Sequence, residues 1–175
     1  MKALYGTPLK RFLRDYRRAH PPARQVAFLL QSVAYPVNVG SIFRIADACG
    51  AAPVILSGIT PQPPHPTISK VARGKESRVP WEYVESPEEA VAKLKRQGFY
   101  VCALELTDDC QPYHTVPWPA KTCLVVGHED HGITESTLAL CDGAAFVPML
   151  GKGRSLNVHV SLAVVAFHIL NTAPA

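Results

Sequence analysis

Hydrophobic residues along this chain fall into two kinds of segment that alternate with each other. Short, almost continuous hydrophobic runs are typical of strands that are buried on both faces of a parallel sheet. Between them lie longer segments in which hydrophobic residues recur every three or four positions, as they do on one face of a helix. The short runs predict strands at residues 26–30, 54–56, 81–84, 99–104, 123–126 and 144–147.

The longer segments carry signals for helix ends. Asn38 heads one predicted helix, and Gly50 follows its last hydrophobic turn, where a residue with left-handed backbone is favoured. Further helices are predicted from Ser86 to just before Gly98, over 134–141 and over 155–170, where Ser155 opens an apolar segment. Residues 58–69 hold four prolines and are predicted to lack regular structure.

Strands alternating with helices predict an α/β domain with a mostly parallel sheet flanked by helices, here over residues 25–175. The sequence has neither the G-x-G-x-x-G fingerprint after a first strand nor a Walker-type phosphate loop, which argues against those nucleotide-binding sites. Its last apolar run is interrupted by polar residues and is too short for a membrane span. The five cysteines form no C-x-x-C pair, so we expect reduced thiols in a cytoplasmic protein.

The charge of the chain is concentrated at its beginning. The net charge is only +4, yet residues 1–24 form a basic arm with seven basic residues against Asp15 alone. Such an arm could contact RNA phosphates through Arg11, Arg14, Arg17 and Arg18, or it could be the solvated face of a helix. Charge alone does not separate the two interpretations.

Three segments resemble, in order, the motifs of the SpoU–TrmH branch of the SPOUT RNA methyltransferases. The first is NVGSIFRIADACGA at 38–51, and the second is LVVGHEDHGIT at 124–134, with its glutamate between two glycines. The third is VPMLGKGRSLNVHVSLAVVAFHIL at 147–170. This resemblance implies a deep C-terminal trefoil knot, which is a rare exception among folds. It also implies S-adenosylmethionine as cofactor and transfer of its methyl group to a ribose 2′-hydroxyl of RNA, with tRNA ahead of rRNA.

The same resemblance implies roles for single residues. Arg44 would be the catalytic arginine near the 2′-hydroxyl, Asn38 would support it, and Glu129 would help to build the site. Ser155 would lie near the cofactor and Asn157 near the catalytic centre. Two alternatives stay open, because Arg44 could pair with Asp47 on a solvated face and Glu129 could be a structural carboxylate that accepts loop N–H bonds.

The cofactor site implied by the resemblance is largely apolar. It would be formed by Leu104, Gly127, Val147, Met149, Ser155 and Leu156. Arg154 could meet RNA phosphate or simply be solvated. No metal is expected, because His128, Asp130 and His131 do not form H-E-x-x-H. We expect His159 and His168 in the core or at an interface rather than in catalysis.

The C-terminal helix has hydrophobic residues around almost its whole circumference, which predicts a partner surface and hence a homodimer. The resemblance implies the same dimer, with Arg44 reaching the site of the other subunit. Two other functions remain possible, namely a knotted enzyme that methylates a base nitrogen and an RNA-binding protein without catalysis. Intact candidate site residues argue against the second.

Overall fold

The structure is a computed structural model and describes residues 1–172. Over these residues a seven-stranded sheet has the strand order β3-β2-β1-β6-β4-β7-β5, and each neighbouring pair is parallel. The predicted α/β fold with a parallel sheet is therefore confirmed. The strands are β1 Gln25–Gln31, β2 Val54–Ser57, β3 Trp81–Tyr83, β4 Tyr100–Leu104, β5 Gln111–Pro112, β6 Lys121–Val126 and β7 Gly143–Phe146.

Helices flank this sheet and precede it. They are α1 Gly6–Ala19, α2 Pro36–Cys49, α3 Pro66–Ala72, α4 Pro87–Arg96, α5 Glu135–Leu138 and α6 Val158–Asn171. Helix α1 lies in the basic arm, and none of its residues is buried. The other helices are each packed through at least one buried residue.

Two predictions about chain conformation were wrong. Residues 66–69 belong to α3, because Pro66 occupies the first helical turn, where its missing N–H is not needed, and the His65 side chain accepts from the backbone N–H of Thr67 at 3.2 Å. The short edge strand β5 was missed because Gln111–Pro112 contains no hydrophobic run from which a strand could be predicted.

The predicted helix boundaries also need correction at two motifs. Helix α2 begins at Pro36, two positions before Asn38, although it does end at Gly50, whose φ of 67° is left-handed as predicted. Helix α6 begins at Val158 and not at Ser155. Its N-cap is Asn157, whose side-chain oxygen accepts from the backbone N–H of His159 at 3.2 Å, so Ser155 stays in the preceding loop.

The core lies on both faces of the two central strands. Alternate residues of β1 point to opposite faces, so Phe28 and Leu30 pack in one buried cluster while Ala27 and Leu29 pack in the other. Helices α2 and α6 cover the first face, and α4 covers the second. Because all strands are parallel, the segments that follow β1, β4, β6 and β7 emerge at the same edge of the sheet.

Candidate active site

A cleft of about 730 Å³ opens at the carboxyl edge of the sheet. Open α/β sheets commonly bind ligands at this edge, and the volume lies in the range of small-molecule sites. Four segments line the cleft, at 104–106, 126–133, 145–147 and 154–158, together with Leu138 and Ser161. The second and third sequence motifs therefore meet in one cavity.

The loop after β6 is folded tightly on itself. The backbone N–H of His128 donates to the carbonyl of Gly132 at 3.0 Å, and the N–H of Gly132 donates back at 2.8 Å. A Cβ at position 127 would collide with the backbone of Gly132, so the loop can close only around a glycine. Gly127 also lines the cleft.

Glu105 is a site residue that sequence reasoning missed. Its carboxylate accepts the backbone N–H of Ile133 at 3.3 Å and that of Leu106 at 3.1 Å, and it lies against Gly132. It therefore joins the loop after β4 to the loop after β6. The available signal was its place directly after a buried strand, where a carboxylate lies at the ligand-binding edge.

Glu129 links the second motif to the first. Its carboxylate accepts hydrogen bonds from the backbone N–H groups of Ala34 at 2.9 Å and Tyr35 at 3.3 Å, and from Asn38 Nδ2 at 2.6 Å. Burial of this carboxyl would raise its pKa, but the hydrogen bonds from Asn38 and the loop outweigh burial and hold the pKa below its ordinary value. Glu129 is thus held as a carboxylate at the wall of the cleft.

Asn38 is almost fully buried, at 4% exposure, between two partners. Its Nδ2 donates to Glu129, and its Oδ1 lies 3.0 Å from Nδ1 of His159 in the first turn of α6. The structure therefore brings residues of all three motifs together. Sequence reasoning placed Asn38 and Glu129 at the site but did not include His159.

The loop before α6 forms one wall of the cleft. Arg154, Ser155, Leu156 and Asn157 line it, as do the predicted cofactor residues Leu104, Gly127 and Val147. The predicted Met149 is not among the lining residues, and its methyl group lies beside Gly153 instead. Arg154, which was expected to meet RNA, stands at the cleft itself.

The predicted catalytic Arg44 lies outside this cleft. It is exposed on α2, and within residues 1–172 it forms no ion pair. Asp47, the alternative partner, pairs with Lys75 at 3.5 Å. Arg11, Arg14, Arg17 and Arg18 of the basic arm are exposed on α1, where Arg14 pairs with Asp15 at 2.8 Å, whereas Arg24 follows the helix and is buried.

The cleft has the chemistry that S-adenosylmethionine would need. Leu104, Val147 and Leu156 offer apolar walls for an adenine ring, and Gly127 lines the cleft without a side chain. In the described part of the chain, no group of three or more His, Cys, Asp or Glu residues is placed to hold a metal ion. Over the same residues, no helix has the length and hydropathy of a membrane span.

Comparison with known proteins extends this picture. The model of the SpoU rRNA Methylase family matches residues 25–167. The tRNA (guanosine(18)-2′-O)-methyltransferase of Thermus thermophilus is 34% identical over 151 residues, which are 86% of this chain and 75% of the relative. The 23S rRNA (guanosine(2553)-2′-O)-methyltransferase of Bacillus subtilis is 31% identical over 147 residues, covering 84% of this chain and 58% of that enzyme.

A solved structure shows the same architecture. An rRNA methyltransferase from Sinorhizobium meliloti with AdoMet bound has a TM-score of 0.76 and 26% identity, covering 87% of this chain and 58% of the other. The chain thus spans between 58% and 75% of the length of these proteins. Every predicted site residue outside the basic arm lies within the residues that the family model matches.

Proposed function

Because the chain belongs to the SpoU rRNA Methylase family, we propose that it transfers a methyl group from S-adenosylmethionine to a ribose 2′-hydroxyl of RNA. The names of the relatives from T. thermophilus and B. subtilis support this reaction, since both are RNA 2′-O-methyltransferases. The AdoMet-bound structure from S. meliloti supports the cofactor. We propose tRNA as the substrate, ahead of rRNA.

One observation carries the proposal, namely that three motifs distant in sequence converge at one cleft. The loop around Gly127 and the loop from Arg154 to Asn157 line it. Glu129 joins the first loop to Asn38 of the first motif through a 2.6 Å hydrogen bond, and His159 of the third motif lies 3.0 Å from the same Asn38 side chain. A purely structural carboxylate could accept the same N–H bonds. It would not require a cavity of about 730 Å³ beside it.

The residues around the cleft have separate tasks in this reaction. S-adenosylmethionine supplies, when bound, the methyl group on its sulfonium as the electrophile. Gly127, Val147 and Leu156 hold the donor at the cleft, while Asn157 lies near the reacting oxygen. Arg44 stabilises the negative charge that develops on the 2′-oxygen as the hydroxyl proton passes to solvent water. It acts by charge and position, because a guanidinium keeps its proton near neutral pH.

We assign RNA binding to the basic arm and to Arg154. Four arginines on α1 are exposed, as phosphate contacts require, namely Arg11, Arg14, Arg17 and Arg18. Arg154 lines the cleft and is also exposed, so it can meet a phosphate next to the target nucleotide.

We further propose a homodimer with knotted subunits. Val37, Val160 and Phe167 are 50%, 38% and 42% exposed on α2 and α6, and an apolar partner surface would cover them. In such a dimer Arg44, which is outside its own cleft, would serve the cleft of the partner. The resemblance implies the knot, and residues 147–157 connect β7 to α6, which packs against α2, β1 and β6.

We place the protein in the cytoplasm. All five cysteines are free thiols, as a reducing compartment would keep them. Burial raises the pKa of Cys49 to about 11 and that of Cys102 to about 12, so both stay protonated and unreactive near neutral pH.

The reaction is tested by incubating the protein with methyl-labelled S-adenosylmethionine and either tRNA or rRNA, followed by digestion to nucleosides. We expect the label on ribose, more of it with tRNA, and none on an RNA whose target position is 2′-deoxy. Label on a base would overturn the proposal in favour of the base-nitrogen enzyme. If the protein binds RNA but neither transfers a methyl group nor binds the cofactor, the RNA-binding protein without catalysis would be favoured.

A further inference from the structure

His159 occupies a position that links two structural elements at the site. It lies in the first turn of α6, is half-buried, and its Nδ1 is 3.0 Å from Oδ1 of Asn38. Asn38 in turn donates through Nδ2 to Oε1 of Glu129 at 2.6 Å. The imidazole, the amide and the carboxylate therefore form one continuous chain of hydrogen bonds that ends at the wall of the cleft.

The direction of this chain is fixed by chemistry. An ionised carboxylate can only accept, so the Asn38 amide must present its NH₂ group to Glu129 and its oxygen to His159. That oxygen needs a donor, so Nδ1 of His159 must carry a proton. Burial lowers the pKa of His159 below its ordinary value, which favours the neutral ring with a single N–H.

Without that donor the amide of Asn38 would still face Glu129 but would lose one of its two partners. Its oxygen would be left buried without a partner, at a site where only 4% of the residue is exposed. Rotation of the amide would relieve this only by turning the oxygen towards the carboxylate, which repels it. A donor at position 159 therefore satisfies the Asn38 amide in the orientation that Glu129 requires and holds it there.

We propose that His159 is a positioning residue for methyl transfer, which holds the Asn38 amide in the orientation that fixes Glu129 at the cleft. The inference rests on the proposed function for its effect on catalysis, but the orientation of Asn38 can be measured without any reaction. His159 itself is not among the residues that line the cleft, so it acts through Asn38.

A series of substitutions separates this role from packing. The side-chain nitrogen of asparagine reaches the place of Nδ1, whereas that of glutamine reaches the place of Nε2. We expect His159→Leu and His159→Gln to lower kcat about tenfold or more, with KM for RNA little changed, and His159→Asn to restore kcat to within about threefold of the original protein. The control His168→Leu changes a histidine on the same helix that lies outside the cleft, and kcat should stay unchanged.

A second measurement needs no activity. The chain has asparagines only at 38, 157 and 171, so selective ¹⁵N labelling gives three side-chain NH₂ signals in an NMR spectrum. The Asn38 signal should be protected from solvent exchange in the original protein and in His159→Asn, and should lose protection in His159→Leu. In the unmodified protein, the ¹⁵N signals of the His159 ring should show the proton on Nδ1. This measurement does not depend on a variant that folds.

The outcomes are distinct. An unprotonated Nδ1 in the neutral ring, an unchanged Asn38 signal in His159→Leu, or equal kcat in the leucine and asparagine variants would each overturn the positioning role. A protein that transfers no methyl group while Asn38 shows the expected protection would instead overturn the proposed function and leave the hydrogen-bond chain standing.

Discussion

At the scale of single residues, the sequence identified which side chains matter better than what they contact. Glu129 between two glycines was recognised as a site residue, and the structure places it at the cleft. Its partners Ala34, Tyr35 and Asn38 lie more than 90 positions earlier in the chain, with Asn38 91 positions before Glu129. No local pattern encodes such a contact, and the same reason explains why the link from Asn38 to His159 was missed.

The glycine at position 127 gives a direct test of the tight loop. Gly127→Ala should destabilise the protein by about 2–3 kcal/mol and abolish cofactor binding, because the new methyl group meets backbone that cannot move aside. Gly151→Ala is the matched control, since a Cβ there meets nothing within 4 Å. Urea unfolding and calorimetry measure both effects. Normal cofactor affinity in Gly127→Ala would show that the loop is not the cofactor site.

The hydrogen bonds to Glu129 predict a dependence of stability on pH. Because the pKa of this carboxyl is lower in the folded protein than its ordinary value of 4.5, its contribution is fully present above pH 4.5 and is lost as the pH falls through the lower folded value. Glu129→Gln should therefore cost about 1–2 kcal/mol near neutral pH, and the difference from the original protein should shrink in acid. The free energy of unfolding of both proteins is measured by urea titration from neutral to acid pH. A difference between them that does not change with pH would contradict this prediction.

At the scale of helices and strands, the sequence predicted most elements, and the errors lie at their ends. Continuous apolar runs predicted the strands at the centre of the sheet. Ser86 was correctly identified as the N-cap of α4, where it accepts a hydrogen bond from the backbone N–H of Glu89. The start of α6 was wrong because Ser155 and Asn157 are both good capping residues. Only the packed structure decides that the helix begins after Asn157.

Because Asn157 is the N-cap of α6, two substitutions there can separate a structural role from a catalytic one. Asn157→Ser should keep stability within about 0.5 kcal/mol because serine also caps a helix, whereas Asn157→Ala should lose about 1 kcal/mol. If Asn157 acts near the reacting oxygen, both variants should lose methyl transfer about tenfold or more. Full activity in Asn157→Ser would restrict the residue to its role as a cap. Thermal unfolding and initial rates provide the two measurements.

Helix α1 is amphipathic, since Leu9, Phe12 and Tyr16 recur at helical spacing on its exposed surface while the arginines occupy the other side. Replacing Arg11, Arg14, Arg17 and Arg18 by glutamine should weaken RNA binding and reduce the slope of log K against log salt by up to about 3–4. Cofactor affinity should not change. An unaltered salt slope would assign these arginines to solvation.

At the scale of the whole molecule, the alternation of elements was enough to predict a parallel α/β fold, and the resemblance to the SpoU–TrmH branch is confirmed by the family match. The strand order was not predictable, because β6 inserts between β1 and β4 through contacts far apart in sequence. The knot and the dimer stay predictions. The dimer can be tested through Arg44, because this residue lies outside the cleft of its own subunit.

Mixed dimers decide whether Arg44 serves its own subunit or the partner. Arg44→Ala and Gly127→Ala subunits should each be inactive alone. After subunit exchange in equal amounts, half of the dimers are mixed and each contains one intact site, so about a quarter of the original activity should return. No recovery despite proven exchange would place Arg44 in its own subunit's reaction, and a fully active monomer in light scattering would falsify the dimer.

The hydrogen-bond chain through Asn38 has a consequence for how the protein is made. It joins residues 91 and 121 positions apart, so the wall of the cleft is complete only when α6 has docked. On the ribosome, a nascent chain that ends before His159 therefore lacks the donor for Asn38, and the methyl donor cannot stabilise a cleft that has not yet formed. The chain must be synthesised through α6 before the ligand can contribute to folding, so binding of S-adenosylmethionine to a nascent chain would mark the moment at which α6 has docked.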